Sequence, residues 1–213
     1  KATTYGLVSM AICFNAKAMA SHYGNDESHK KKNDHVAHSD DEEEEFMKLD
    51  EDRIIELYQE YYLENAQNKH LNLPKIGKVL SVGMSLGEMA NILRVFGCQM
   101  VDPSHTYQLN VEKFRDLVKN TLKDGSQSND TVMFVNYDLF KLGTGIANGH
   151  ISAIAGYNPK DDMVLLMDTM WMIGMCWVPL PLLYEAMNTI DDEADGKYRG
   201  CIIVEGLPLF KYE

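Results

Sequence analysis

Cysteine is sparse in this sequence and never closely paired. The four residues Cys13, Cys98, Cys176 and Cys201 form no C-x-x-C spacing, so neither a structural zinc site nor a dense disulfide framework is signalled, and buried thiols are the expectation. Basic charge is scarce as well: 20 lysines and arginines face 32 aspartates and glutamates, for a formal charge of −12. With no basic stripe interleaved with aromatics, nucleic acid is discounted as a partner. Long apolar runs are also missing. The windows 6–20 and 163–175 are too short or too interrupted for a membrane span of about 20 residues, and no transmembrane segment is expected. The first residue is Lys1 rather than methionine, which fits a removed leader, an internal cleavage or a fragment. A sequon at Asn129-Asp130-Thr131 tips the expected location towards secreted or extracellular over cytoplasmic.

What is present suits a single domain over 1–213. The chain has 45% hydrophobic residues, enough for a proper core. One tract departs from this composition. Residues 21–45 are almost wholly His, Asn, Asp, Glu, Lys and Ser, too polar to order themselves by burial, and read as an acidic loop or insertion. Its His22, His29, His35 and His38 have side chains suited to weak divalent-metal binding, although a solvated acidic loop is the plainer reading.

Periodicity supplies the elements. The run 6–20 reads as a buried helix and 46–67 as an amphipathic one, with Phe46, Leu49, Ile54, Leu57, Tyr58, Tyr61 and Tyr62 at near-helical spacing. A short strand is expected at 78–82, a helix at 86–96 with Ser85 as its N-cap, and a further helix at 111–122. The period then changes. Residues 131–136, 150–157, 163–168 and 200–205 read as strands, the middle two joined through Asn158-Pro159-Lys160-Asp161, and 180–187 reads as one more helix. Helices first and an antiparallel sheet later define an α+β class.

Within this frame, His150-Ile-Ser-Ala-Ile-Ala-Gly156-Tyr157 is followed by Asp162 to Asp168 and by Trp177-Val-Pro-Leu-Pro-Leu-Leu-Tyr-Glu-Ala-Met187. Phe140-Lys141-Leu-Gly143-Thr144-Gly145 lies upstream, and Gly196-Lys-Tyr-Arg199-Gly200 downstream. This ordered set resembles the phytochelatin synthases. Tyr5-Gly6-Leu7-Val8-Ser9 with Asn15-Ala16 is similar to that family's nucleophile motif, in which cysteine precedes Gly-Leu-Ala-Ser. The resemblance implies a papain-like cysteine-peptidase fold and a γ-glutamylcysteinyl transfer from glutathione through a thioester.

The residue types fit that implication in part. A carboxylate such as Asp168 can hold an imidazole such as His150 in one tautomer, and a thiol at a helix N-terminus would be activated by the helix dipole. Tyr5 stands at the thiol's place, and a phenol, with an ordinary pKa near 10, is a weak substitute. Cys13 lies too far along the helix, and nothing marks Cys176 as activated. The resemblance further implies an oxyanion glutamine before the nucleophile, which this chain begins too late to include. It also implies a substrate-binding arginine after the aspartate, where Trp171 stands.

His150 and Asp168 are therefore read as a remnant catalytic pair, with Tyr5, His150, Met170, Trp171 and Met172 as the ligand-binding set. An indole beside methionines suits an apolar or aromatic ligand, such as a carotenoid or other pigment. The plainer alternatives are a structural histidine and an ordinary core cluster. The leading expectation is a non-catalytic binder of a small molecule, with no cofactor certain. An active phytochelatin-making transferase is the first alternative. A structural subunit, completed by an N-terminal fragment, a sister chain or a further copy of itself as a homo-oligomer, is the second.

Overall fold

The computed structural model describes residues 5–24, 47–65, 69–122, 131–170 and 173–210. Helices α1 (Tyr5–Gly24), α2 (Glu51–Asn65), α3 (Ile76–Ser81) and α4 (Leu86–Val95) come first, followed by strand β1 (Met100–His105) and α5 (Val111–Thr121). The chain continues as β2 (Val132–Asp138), β3 (Gly149–Asn158), β4 (Met163–Met167), β5 (Met175–Pro179), α6 (Leu180–Met187), β6 (Ile190–Asp191), β7 (Lys197–Tyr198) and β8 (Gly200–Glu205). Among the described residues the sheet has six strands in the order β1-β8-β2-β3-β4-β5, each pair antiparallel. The expected α+β class is what the chain adopts.

The middle strands are covered on both faces, and their sequences show why. Along β2, Phe134 belongs to the buried cluster that holds Leu7, Met10 and Phe14 of α1 and residues of α4, whereas Met133, Val135 and Tyr137 belong to the cluster with Phe114 of α5 and Leu183 of α6. A strand buried on both sides reads as a continuous apolar run rather than an alternation. The edges are treated differently. Strand β1 contains Pro103, whose missing N–H is tolerable only where no neighbour needs it.

Local chemistry fixes the helix ends. Ser85 Oγ accepts the Glu88 N–H at 3.3 Å and Glu88 accepts the Ser85 N–H at 2.9 Å, a reciprocal cap that starts α4 as expected. Residues 78–82, expected as a strand, belong instead to α3 and its end. Val79 is fully buried there, and Lys78 turns outward to pair with Glu88 at 2.6 Å. Packing of one apolar residue overrode the β-type run. The expected helix at 46–67 is shorter, Glu51–Asn65, with Phe46 and residues 66–68 outside the described set. Residues 175–179, for which the sequence reading gives no element, form edge strand β5 through pairing such as that of Leu165 with Trp177.

Two contacts set α1 against the rest. Ser9 Oγ donates to the Ile151 carbonyl at 3.2 Å, tying the helix to β3. Asn15 holds the segment before α2 from both sides: its Nδ2 donates to the Leu49 carbonyl at 2.7 Å, and its Oδ1 accepts the Leu49 N–H at 2.8 Å. Because Leu49 is buried, removing the amide strands both backbone groups. Asn15→Ala should cost about 1–3 kcal/mol, measured as a lower midpoint in urea denaturation without loss of cooperativity.

Candidate active-site cleft

Strand pairing assembles the site. Tyr137 of β2 stands opposite His150 of β3, and β4 runs antiparallel to β3, so its C-terminal end delivers Asp168 to the same region. His150 Nε2 lies 2.8 Å from Asp168 Oδ1, with both side chains essentially inaccessible to solvent. The Met170 N–H donates to the same oxygen at 2.7 Å, and the Tyr137 hydroxyl donates to Oδ2 at 2.6 Å. Helix α1 begins across from them. The rings of Tyr5 and His150 meet edge to face with centroids 4.7 Å apart, so Tyr5 occupies the helix N-terminus beside the imidazole. Gly6 follows because a Cβ there would press on the Met84 side chain at 3.1 Å.

Burial alone would raise the Asp168 carboxyl. Hydrogen bonding and charge from His150, the Tyr137 hydroxyl and the Met170 N–H outweigh that effect and hold it below the usual carboxylate value. The thiols go the other way. Burial pushes Cys13, Cys98 and Cys201 up to about 12. Burial, with the nearby Asp168 charge, also raises Cys176. An activated nucleophile needs the opposite shift, so no described cysteine has thiolate character.

His150 and Tyr5 line a cavity of about 390 Å³. Its wall departs from the expected ligand-binding set. Met170 is buried away from the cavity and Asp168 sits behind His150, neither contributing to the lining. Trp171 and Met172, His29, His35 and His38, and the side chain of His22 lie outside the described residues. The wall is mixed: apolar Val82, Met84, Phe140 and Ile190 stand beside Asp138, Asp191, Asp192 and Glu193, with Arg199 the only arginine or lysine among the described lining.

The sequence reading places Arg199 in a motif and Asn136 at a strand end, and gives a role in the site to neither of them nor to Asp191. Their side chains form a buried cluster, with Asn136 Nδ2 donating to Asp191 Oδ2 at 3.0 Å and Arg199 Nη2 3.9 Å from Asp191 Oδ1. Arg199 Nη1 donates to Thr189 Oγ1 at 3.1 Å and to the Ile190 carbonyl. Its Nε has no partner among the described residues. Gly149 is required beside it, since a Cβ there would lie 2.7 Å from Nη2. Asn136 breaking the apolar run of β2, and the Gly149-His150 pair, were the available signals.

The α+β fold thus carries a buried histidine–aspartate pair facing a helix N-terminus at which Tyr5 stands. The phytochelatin synthase family model matches residues 47–201, well over half of the chain, and the chain belongs to that family. That span contains His150, Asp168 and Arg199 but not Tyr5. Among curated relatives, glutathione gamma-glutamylcysteinyltransferase 3 of Lotus japonicus is 37% identical over 131 residues, covering 61% of this chain and 26% of its own length. Glutathione gamma-glutamylcysteinyltransferase 1 of Arabidopsis thaliana is 33% identical over 123 residues, covering 57% and 24%. The chain thus spans about a quarter of the length of the curated relatives it matches.

The lowered Asp168 value has a signed consequence. Its stabilisation is complete above the unfolded carboxylate's ordinary value, about 3.9, and is lost as pH falls through the lower native value. Asp168→Asn should therefore lower stability at pH 7 by about 2–4 kcal/mol and flatten the loss of stability between about pH 5 and 2. Circular dichroism melts across that range provide the check.

Proposed function

We propose that this chain is a non-acylating member of the phytochelatin synthase family that binds a small polar ligand in the cavity before His150. One observation carries the reading: the group beside His150 at the start of α1 is the phenol of Tyr5, while all four described thiols are shifted away from thiolate. A phenol is bulkier and far less nucleophilic than a thiolate at neutral pH, so the thioester route implied by the relatives' names has no first step.

The lining supports a zwitterionic ligand of the glutathione kind. Four carboxylates suit an ammonium group, and the unpartnered, buried Nε of Arg199 suits an acceptor such as a carboxylate. Glutathione carries both groups, and glutathione is in the names of the curated relatives. The apolar or pigment ligand expected from Met170, Trp171 and Met172 is the weaker reading, because four carboxylates share the described wall and Met170 is not part of it. Retention of the His150–Asp168 pair favours the active transferase as the second reading.

Calorimetry and intact-mass spectrometry with glutathione, with and without zinc or cadmium, separate the two. The expected result is reversible binding without a mass increase. A γ-glutamylcysteinyl adduct on the unaltered chain would establish the transferase, and absence of any binding would remove the ligand reading. Tyr5→Cys should place a thiol at the helix N-terminus beside His150 and be alkylated at pH 7 about tenfold faster than Cys176, or more.

A further inference from the structure

Asp168 sits where only acceptors fit. One oxygen takes the Met170 N–H and faces His150 Nε2, and the other takes the Tyr137 hydroxyl. An ionised carboxylate cannot donate, so Nε2 carries a proton. The direction continues through Tyr137. Its one proton goes to Asp168, and in the 2.9 Å contact with Ser152 Oγ the serine therefore donates. Burial, with the neighbouring Asp168 charge, pushes the Tyr137 phenol well above its ordinary value, which keeps that proton in place. Tyr137 and Ser152 are both fully buried, so bulk water does not compete.

We infer that Tyr137 is the positioning residue of this site: by donating to Asp168 it keeps the carboxylate ionised and fully occupied, and so holds His150 as the Nε2–H tautomer with Nδ1 an acceptor towards the cavity. Only the last clause rests on the ligand-binding reading. The consequence for a ligand is polarity, since an ammonium or thiol hydrogen is matched by Nδ1 and a second acceptor is not. Without the hydroxyl, Asp168 Oδ2 would be left unpaired in a dry site. A carboxyl that then took up a proton could donate it to Nε2, and the ring's own proton would sit on Nδ1. The ionisable groups around the pair are Tyr5 from α1, Tyr137 from β2 and Cys176 from β5, with Asp138, Asp191 and Arg199 sharing the cavity.

The test is ring-nitrogen NMR on the whole ligand-free chain at pH 7, with ¹⁵N-labelled histidine, for the unaltered protein, Tyr137→Phe and Ser152→Ala. In the unaltered chain the neutral form of the His150 ring should carry its proton at Nε2. Tyr137→Phe should move the tautomer ratio about tenfold towards Nδ1–H, the loss of one hydrogen bond to a charged group, while the thermal melt stays cooperative. Ser152→Ala should move it the same way by less, because the serine's donation strengthens the phenol as a donor. A proton on Nδ1 in the unaltered chain overturns the inference. So does a Tyr137→Phe spectrum unchanged beside a lower melting temperature, which is what a packing role would give. Should Tyr137→Phe fail to fold, an unchanged Ser152→Ala spectrum overturns it equally. Glutathione calorimetry on the unaltered chain tests the ligand reading separately, and neither result there alters the tautomer.

Discussion

A charged carboxylate taken wholly out of water must be repaid by donors placed around it, and Asp168 imposes that requirement on the structure. Its partners come from three stretches of chain: His150 from β3, Tyr137 from β2 and the Met170 backbone just beyond Asp168 itself. They converge only in one register. A slip of one residue between β2 and β3 would turn Tyr137 or His150 to the opposite face, leaving a buried charge short of a donor. The pair that defines the cleft also pins the centre of the sheet.

The cleft in front of that pair lies at the start of α1, where the proposed reading puts a phenol in place of a nucleophilic thiol. A helix N-terminus next to an imidazole favours an anion such as a thiolate. Tyr5 supplies an aromatic edge instead, packed against His150 with centroids 4.7 Å apart. The cavity opposes four carboxylates to a single arginine, and that arginine is drawn inward by Asp191, Thr189 and the Ile190 carbonyl. Such a wall discriminates by charge and hydrogen-bond direction more than by apolar area.

Much of this was legible in the sequence. The α+β class, the helices at 86–95 and 111–121, and the strands β2, β3, β4 and β8 follow from periodicity, because each buries a face whose spacing is written locally. The pairing of His150 with Asp168 was inferred from an ordered match and two strands joined by a tight turn, and the 2.8 Å contact agrees. The presence of Tyr5 where a thiol was expected is a matter of composition alone.

Other features depended on what the folded chain brings together. Val79 became helical because its burial in the core outweighed the local β-type run, and Met175–Pro179 became a strand because β4 offered it an edge. The donors Tyr137 and Ser152, and the cluster of Asn136, Asp191 and Arg199, join residues 8 to 55 positions apart, and no local pattern announces them. By itself the sequence determined which residue types were available and which stretches would be helix or strand, since those follow from backbone preference and one-sided burial. Only the tertiary structure decided that the cavity wall is acidic and that Asp168 has a third donor, because desolvation and hydrogen bonding act between side chains that meet through space.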